Sequence, residues 1–236
     1  MQLDGFDGRT AVVTGAAQGI GREICVRLSG LGARVAGLDL VPPAIPGVLG
    51  VGADVTDADT VEGAFARIED EFGPAQLLVL NAGIFIVEPF SETTIEHWRR
   101  TLDVNLTGAF LCAQRTLPGM VAGGYGRVVA IGSSAGITGG KNSCAAYAAS
   151  KAGLMCLAKS IANEYARHGV TSNALAPALI DTAMMESQPA GIERSIPVGR
   201  LGSATEVADL VAFLCSEHAG YITGEVVDIN GGFFVD

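Results

Sequence analysis

Alternation is the feature that most limits how this chain can fold. Apolar blocks rich in Val, Leu and Ala occupy residues 10–13, 34–39, 49–55, 77–80, 127–131, 171–176 and 226–229. Such blocks lack the polar alternation of a half-exposed strand and read as strands buried on both faces. Helical spacing fills most of the intervals, as where Val61, Ala64, Phe65, Ile68 and Phe72 form one apolar stripe. The pattern predicts an α/β fold built on one doubly wound parallel sheet of seven strands with helices on both faces. Hydroxyl residues three before an acid (Thr56 with Asp59, Thr93 with Glu96, Ser203 with Glu206) mark helix starts. Residues 40–47 carry Pro42, Pro43 and Pro46, so a loop is expected where a crossover helix would otherwise stand.

Nothing resembling a linker interrupts the 236 residues, which are read as one domain, 1–236. Hydrophobic residues at 49% and charged residues at 17% supply a large core and exclude disorder. The net charge of −10 repels phosphate backbones, so no nucleic-acid partner is expected. No apolar run approaches the ~18 residues of a membrane span, and Met1-Gln2-Leu3-Asp4 has no signal-peptide character. A cytoplasmic location without a membrane partner follows as an expectation. Cys25, Cys112, Cys144, Cys156 and Cys215 are odd in number and include no Cys-x-x-Cys pair, which suits reduced, buried thiols. His97, His168 and His218 form no zinc motif, so neither a metal site nor a histidine base is expected.

The first apolar block leads into Thr14-Gly15-Ala16-Ala17-Gln18-Gly19-Ile20-Gly21 and then an apolar helical stretch at 24–31. Strand, glycine loop and helix follow in the order a phosphate site needs. Glycines allow close backbone approach, and free N–H groups at a helix N-terminus favour a pyrophosphate. Asp39 ends the second block 18 residues beyond Gly21, near the spacing of an acid that accepts ribose hydroxyls. Alone it would read as a solvated strand-end acid. Its carboxylate would repel a 2′-phosphate, and the loop offers Gln18 instead of a cation, so NAD is favoured over NADP.

Tyr147 and Lys151 stand four apart in the alanine-rich stretch 144–166 and project from one face of one helix. Together with Thr14-Gly-x-x-x-Gly-x-Gly21, Asn81-Ala82-Gly83, Asn105 and Ser134, the Tyr147-x-x-x-Lys151 pair resembles the short-chain dehydrogenase/reductase family. The resemblance runs from Arg9 to Tyr221-Ile222-Thr223-Gly224 and Asp228-Ile229-Asn230-Gly231-Gly232. It implies a Rossmann fold and an oxidoreductase acting on CH–OH groups, with Tyr147 as general acid/base and Ser134 polarising the substrate oxygen. Lys151 and Asn105 would support them. Ser134 is chosen over Ser133 because it lies 13 residues before Tyr147, the spacing expected of the family. The chemistry is consistent, since a tyrosine of pKa about 10 needs a nearby ammonium to act as a base near neutrality. The resemblance also implies cofactor contacts from Gly15, Gln18, Gly19, Ile20, Gly21, Asp39, Tyr147 and Lys151. Asp54 and Val55 would lie near adenine, Asn81, Ala82 and Gly83 beside its ribose, and Pro177, Ile180 and Thr182 around the carboxamide. Asp54 reads equally as a helix cap, and Thr182 as the start of a turn.

The chain departs from the family at Leu80, where an asparagine is usual, at Ala178, where a glycine is usual, and in the 40–47 loop. A short substrate lid is expected near 183–197, with Met184, Met185 and Ile192, and with Phe85 and Ile137 as further apolar walls. The leading reading is an NAD-dependent dehydrogenase or reductase for a small-molecule secondary alcohol or ketone. The alternatives are a 3-oxoacyl-thioester reductase and a catalytically silent dinucleotide sensor. A carrier-protein substrate would want a basic patch, whereas Gly123-Gly124-Tyr125 precedes the fifth strand. Apolar residues on the helices of Asn105 (Leu106, Ala109, Phe110, Ala113, Leu117) and Tyr147 (Leu154, Leu157, Ala158, Ile161), with Phe233 and Phe234, suit self-association, and the family resemblance, in which these helices pair between subunits, implies a homotetramer.

Overall fold

The computed structural model describes residues 3–140, 144–183, 185 and 191–235. Its centre is a parallel sheet of β1 (Thr10–Thr14), β2 (Arg34–Asp39), β3 (Val48–Gly52), β4 (Leu77–Leu80), β5 (Gly126–Ile131), β6 (Val170–Pro177) and β9 (Val226–Ile229) in the order β3-β2-β1-β4-β5-β6-β9. β1, β4, β5 and β6 are buried along their whole length, which explains their unbroken apolar sequence. One face packs on α2 (Ala58–Phe72), α4 (Gly108–Gly123) and α6 (Ala145–Tyr165) through Phe65, Ile68, Leu117 and Leu154. The other packs on α1 (Gly19–Gly30) and α7 (Ala204–Cys215) through Ile24, Leu28, Val207 and Val211. The sheet is thus doubly wound, as the alternation requires. Leu80 is buried in the core, so apolar packing occupies the position where the family usually has an asparagine.

Residues 40–47 form no helix, and the structure shows how the sheet does without one. A Cβ on Gly50 would lie 2.4 Å from the Pro43 carbonyl oxygen, and one on Gly37 2.9 Å from the Pro43 ring. The proline loop lies flat on the sheet because glycines vacate the space beneath it, and Ile45 plugs its edge.

Local signals were read with small displacements. Ser203 and Glu206 form the expected capping box at α7. The cap of α2 is Asp57, not Thr56, whose hydroxyl donates to Asp54. The cap of α3 (Ile95–Leu102) is Thr94, not Thr93. In both cases an adjacent side chain with equivalent oxygen chemistry takes the role. Cys25, Cys112, Cys144 and Cys215 are buried as expected, but Cys156 is exposed on α6. Two features had no sequence signal. Asp103–Thr107 is a π-helical segment joining α3 to α4, and β7 (Ile180–Asp181) pairs with β8 (Gly202–Ser203) in a separate two-stranded bridge. No helix of the described residues is long and apolar enough to cross a membrane.

Candidate active site

A cleft of about 790 Å³ runs across the C-terminal ends of the central strands, where loops from β1, β2, β4, β5 and β6 meet. One end is lined by Gly15, Gln18, Gly19, Asp39, Leu40, Asp54 and Val55, the other by Ser133, Tyr147, Lys151 and Pro177. Ile20, Asn81, Ala82, Gly83, Ile180 and Thr182 also line it. Gly21 is buried beneath, where a Cβ would stand 2.1 Å from the Gly15 carbonyl oxygen. That distance makes glycine obligatory.

The glycine loop is stapled from below. The Thr14 hydroxyl accepts the N–H groups of Asn81 and Ala82, both at 3.0 Å, while Asn81 Nδ2 donates to the carbonyls of Thr14 and Gly15, both at 2.9 Å. Both Nδ2 donors of Asn81 are therefore spent on holding two loops together in a residue that also lines the cleft. No side chain caps α1 and no acid occupies its first turn, which leaves its N-terminal dipole facing the cleft. Asp39 Oδ2 accepts from the Ala17 N–H at 2.9 Å and Oδ1 from the Leu40 N–H at 2.8 Å. Each oxygen keeps lone-pair capacity for a ribose hydroxyl. Asp54 is anchored by the Thr56 N–H and hydroxyl, which hold its carboxyl below the ordinary range. A dinucleotide fits this cradle: glycines clear its path, an open helix end meets its phosphates and Asp39 meets its adenosine ribose.

At the other end the structure separates the two adjacent serines. Ser133, not Ser134, lines the cleft and hydrogen-bonds Tyr147. Ser134 precedes α5 (Ala135–Thr138); its N–H donates to the Pro177 carbonyl and its own carbonyl accepts from Thr138. Ser133 lies 14 residues before Tyr147, one more than the family spacing that pointed to Ser134. The Ser-Ser doublet was the only sequence signal that two candidates existed.

Burial raises the Tyr147 pKa, opposed by the Ser133 hydrogen bond, so the phenol is protonated at neutral pH. Phe85 packs edge-on against its ring at 4.8 Å between centroids. Lys151 is buried, which lowers its pKa to about 8, and its Nζ donates to the Ile131 carbonyl at 2.7 Å while standing 5.7 Å from the Tyr147 ring centroid. Asn105, wholly buried in the π segment, accepts from the Ile84 N–H at 2.7 Å and donates to the Ile84 carbonyl at 3.0 Å. π turns of this kind recur at functional sites.

Of the expected lid, Met185 lines the cleft and Ile192 sits in a short 3-10 turn, while Met184 lies outside the described residues. Thr182 also reaches over the glycine loop, its methyl 3.7 Å from where a Gly19 Cβ would be. The β7–β8 bridge pins the base of this segment. Ile137 remains 43% exposed and does not line the cleft. Ala178 does line it, with its N–H donating to the Ile229 carbonyl.

A family model described as enoyl-(acyl carrier protein) reductase matches residues 15–234. The chain belongs to the short-chain dehydrogenase/reductase family. It is 40% identical to the 3-oxoacyl-[acyl-carrier-protein] reductase FabG of Escherichia coli, across 98% of this chain and 99% of that one. It is 42% identical to the reductase MabA of Mycobacterium tuberculosis, across 96% and 93%. A short-chain type dehydrogenase/reductase from Mycobacterium marinum superposes with a TM-score of 0.93 at 30% identity, over 98% and 97% of the two chains. A putative gluconate dehydrogenase from Agrobacterium tumefaciens does so with 0.89 at 29%, over 97% and 96%. The protein is an oxidoreductase of this family, whose cofactor is a nicotinamide dinucleotide.

Proposed function

We propose that this protein interconverts a ketone and a secondary alcohol at the Ser133–Tyr147–Lys151–Asn105 cluster, with NAD(H) as redox partner and a 3-oxoacyl thioester as the ketone. The observation that carries the reaction is the Tyr147 phenol, held by Ser133 in the cleft that also contains Asp39 and the glycine loop. When bound there, the nicotinamide supplies or accepts the hydride. The chain does the proton work. Tyr147, a phenol whose ordinary pKa of 10 burial pushes further up, gives its proton to the substrate oxygen during reduction, and Ser133 donates a hydrogen bond to that same oxygen as charge develops. The Lys151 ammonium stabilises the phenolate left behind and, with Asn105, re-supplies its proton. In oxidation the same groups run in reverse.

The thioester reading rests on the relatives, two of which, at 40% and 42% identity over nearly full length, are 3-oxoacyl-[acyl-carrier-protein] reductases. The absence of a basic run at 123–125 weighs against a carrier protein, and a coenzyme A thioester survives that objection. Arg127, at the start of β5, is buried and donates to the carbonyls of Ser216, Gly126 and Gly169, so it offers nothing to an acidic carrier protein. The net charge of −10 opposes such docking as well. A simple secondary alcohol, presented on no carrier, is the second reading, supported by the same absence of a basic run in Gly123-Gly124-Tyr125. Asp39 supports NAD(H), because a 2′-phosphate would meet a carboxylate already fixed by two N–H groups.

The test follows reduced-nicotinamide absorbance with acetoacetyl-CoA, the same acyl group on an acyl carrier protein, and a panel of simple ketones, using NADH and NADPH in parallel. Turnover of acetoacetyl-CoA with NADH, lost in Tyr147→Phe while NADH binding persists, is the expected result. Turnover with NADPH alone would overturn the reading of Asp39, and preference for the carrier protein that of the surface. Tight NADH binding with no turnover of any ketone would favour the sensor.

A further inference from the structure

Ser150 lies directly before Lys151, is wholly buried, and does not line the cleft. Its hydroxyl donates to the Tyr147 carbonyl at 2.7 Å, one turn back in α6. A serine hydroxyl has a single hydrogen, so once that is spent its oxygen can only accept. What it accepts is an N–H of Asn105 Nδ2, at 3.0 Å. The other Nδ2 hydrogen goes to the Ile84 carbonyl, and Oδ1 takes the Ile84 N–H. Among the described residues the Asn105 amide thus has both donors filled and one acceptor site left on Oδ1. That oxygen and Lys151 Nζ both border Gly83, 3.2 Å and 3.4 Å from where its Cβ would stand.

We propose that Ser150 is a positioning residue for the proton pathway: by filling the second donor of Asn105 it leaves that side chain acceptor-only on the Lys151 side and ties it to the helix that carries Tyr147. The inference rests on the reading of Asn105 and Lys151 given above. Without the Ser150 oxygen, one buried N–H of Asn105 has no partner, and the amide must rotate, admit water or stay unsatisfied. Each outcome disturbs the acceptor that borders Gly83 together with the Lys151 ammonium.

The experiment uses the full chain as Ser150→Ala, Asn105→Ala and the double variant, with acetoacetyl-CoA and NADH as probes. Ser150→Ala should lower kcat about three- to tenfold and change KM less than twofold. The double variant should equal Asn105→Ala, because a residue that acts only through another adds nothing once that other is gone. Losses that multiply, or a kcat at the wild-type level in Ser150→Ala, would overturn the proposal. A second readout needs no substrate. In the unliganded protein, one Asn105 Nδ2 proton should exchange faster with solvent in Ser150→Ala by NMR, and unchanged protection of both protons would refute the link. Should wild type ignore acetoacetyl-CoA, the substrate reading falls while the exchange result still decides the role of Ser150.

Discussion

Two adjacent serines show what one residue decides. Ser133 has its hydroxyl in the cleft beside Tyr147, and Ser134 spends its backbone on Pro177 and α5. Ser133→Ala should therefore lower kcat by about 100-fold, whereas Ser134→Ala stays within about threefold of wild type in the same assay; the reverse ranking would return the role to Ser134. Lys151 carries a pH signature. Its folded pKa of about 8 lies below the ordinary 10.5, so the unfolded chain binds the extra proton between these values. Stability contributed through this group is accordingly lowest below about pH 8 and rises as pH climbs toward 10.5. Lys151→Met removes the buried charge, so its melting temperature should exceed that of wild type at pH 7 and the gap should close by pH 10. A gap that is constant with pH would mean that desolvation is not what Lys151 suffers. Tyr147, Lys151 and Asn105 were nameable from the sequence and the resemblance; Ser133 was passed over for its neighbour Ser134, and Ser150 was not singled out, because a serine among alanines in a helix has no meaning until Asn105 is placed opposite it.

At the scale of elements, the loop over β2 and β3 replaces a helix with three prolines and the glycines beneath them. Gly50→Ala would drive a Cβ to 2.4 Å from the Pro43 carbonyl oxygen, a backbone atom that cannot rotate away. The expected cost is about 1–3 kcal/mol in urea unfolding. NADH affinity should fall too, since Leu40 and Asp39 enter that loop and line the cleft. Unchanged unfolding would show that the loop lifts freely. The absence of a helix was legible in the prolines, but the role of the glycines was not, because they lie on different strands and meet the loop only after β2 and β3 pair. The π segment is similar. It places Asn105 between Ile84 and Ser150, partners 21 and 45 residues away along the chain, and no local pattern encodes that.

For the molecule as a whole, the single-domain reading predicts one cooperative unfolding transition seen alike by fluorescence and circular dichroism; two resolved transitions would contradict it. The homotetramer is a proposal that the structure narrows. Ala109, Ala113, Leu117, Leu154, Ala158 and Ile161 are consumed in the core, so the outer face of these helices rests on Phe110, 45% exposed, with Phe233 and Phe234 half-buried beyond the edge strand β9. Light scattering at micromolar concentration should give four times the 24.1 kDa chain mass. Phe110→Glu should shift the particle toward smaller species, and a wild-type monomer would remove the proposal.

Strand identity, the glycine loop, Asp39 and the Tyr147–Lys151 pair were determined by sequence alone, because each is written in residues near one another along the chain. Apolar runs, close-approach glycines and i, i+4 neighbours are local facts. Tertiary structure decided which serine reaches Tyr147, where the Asn81 amide is spent, what Arg127 is paired with, and that Ser150 completes Asn105. Those outcomes depend on distances across the sheet, which exist only once distant segments have packed and brought buried donors to acceptors far away along the chain.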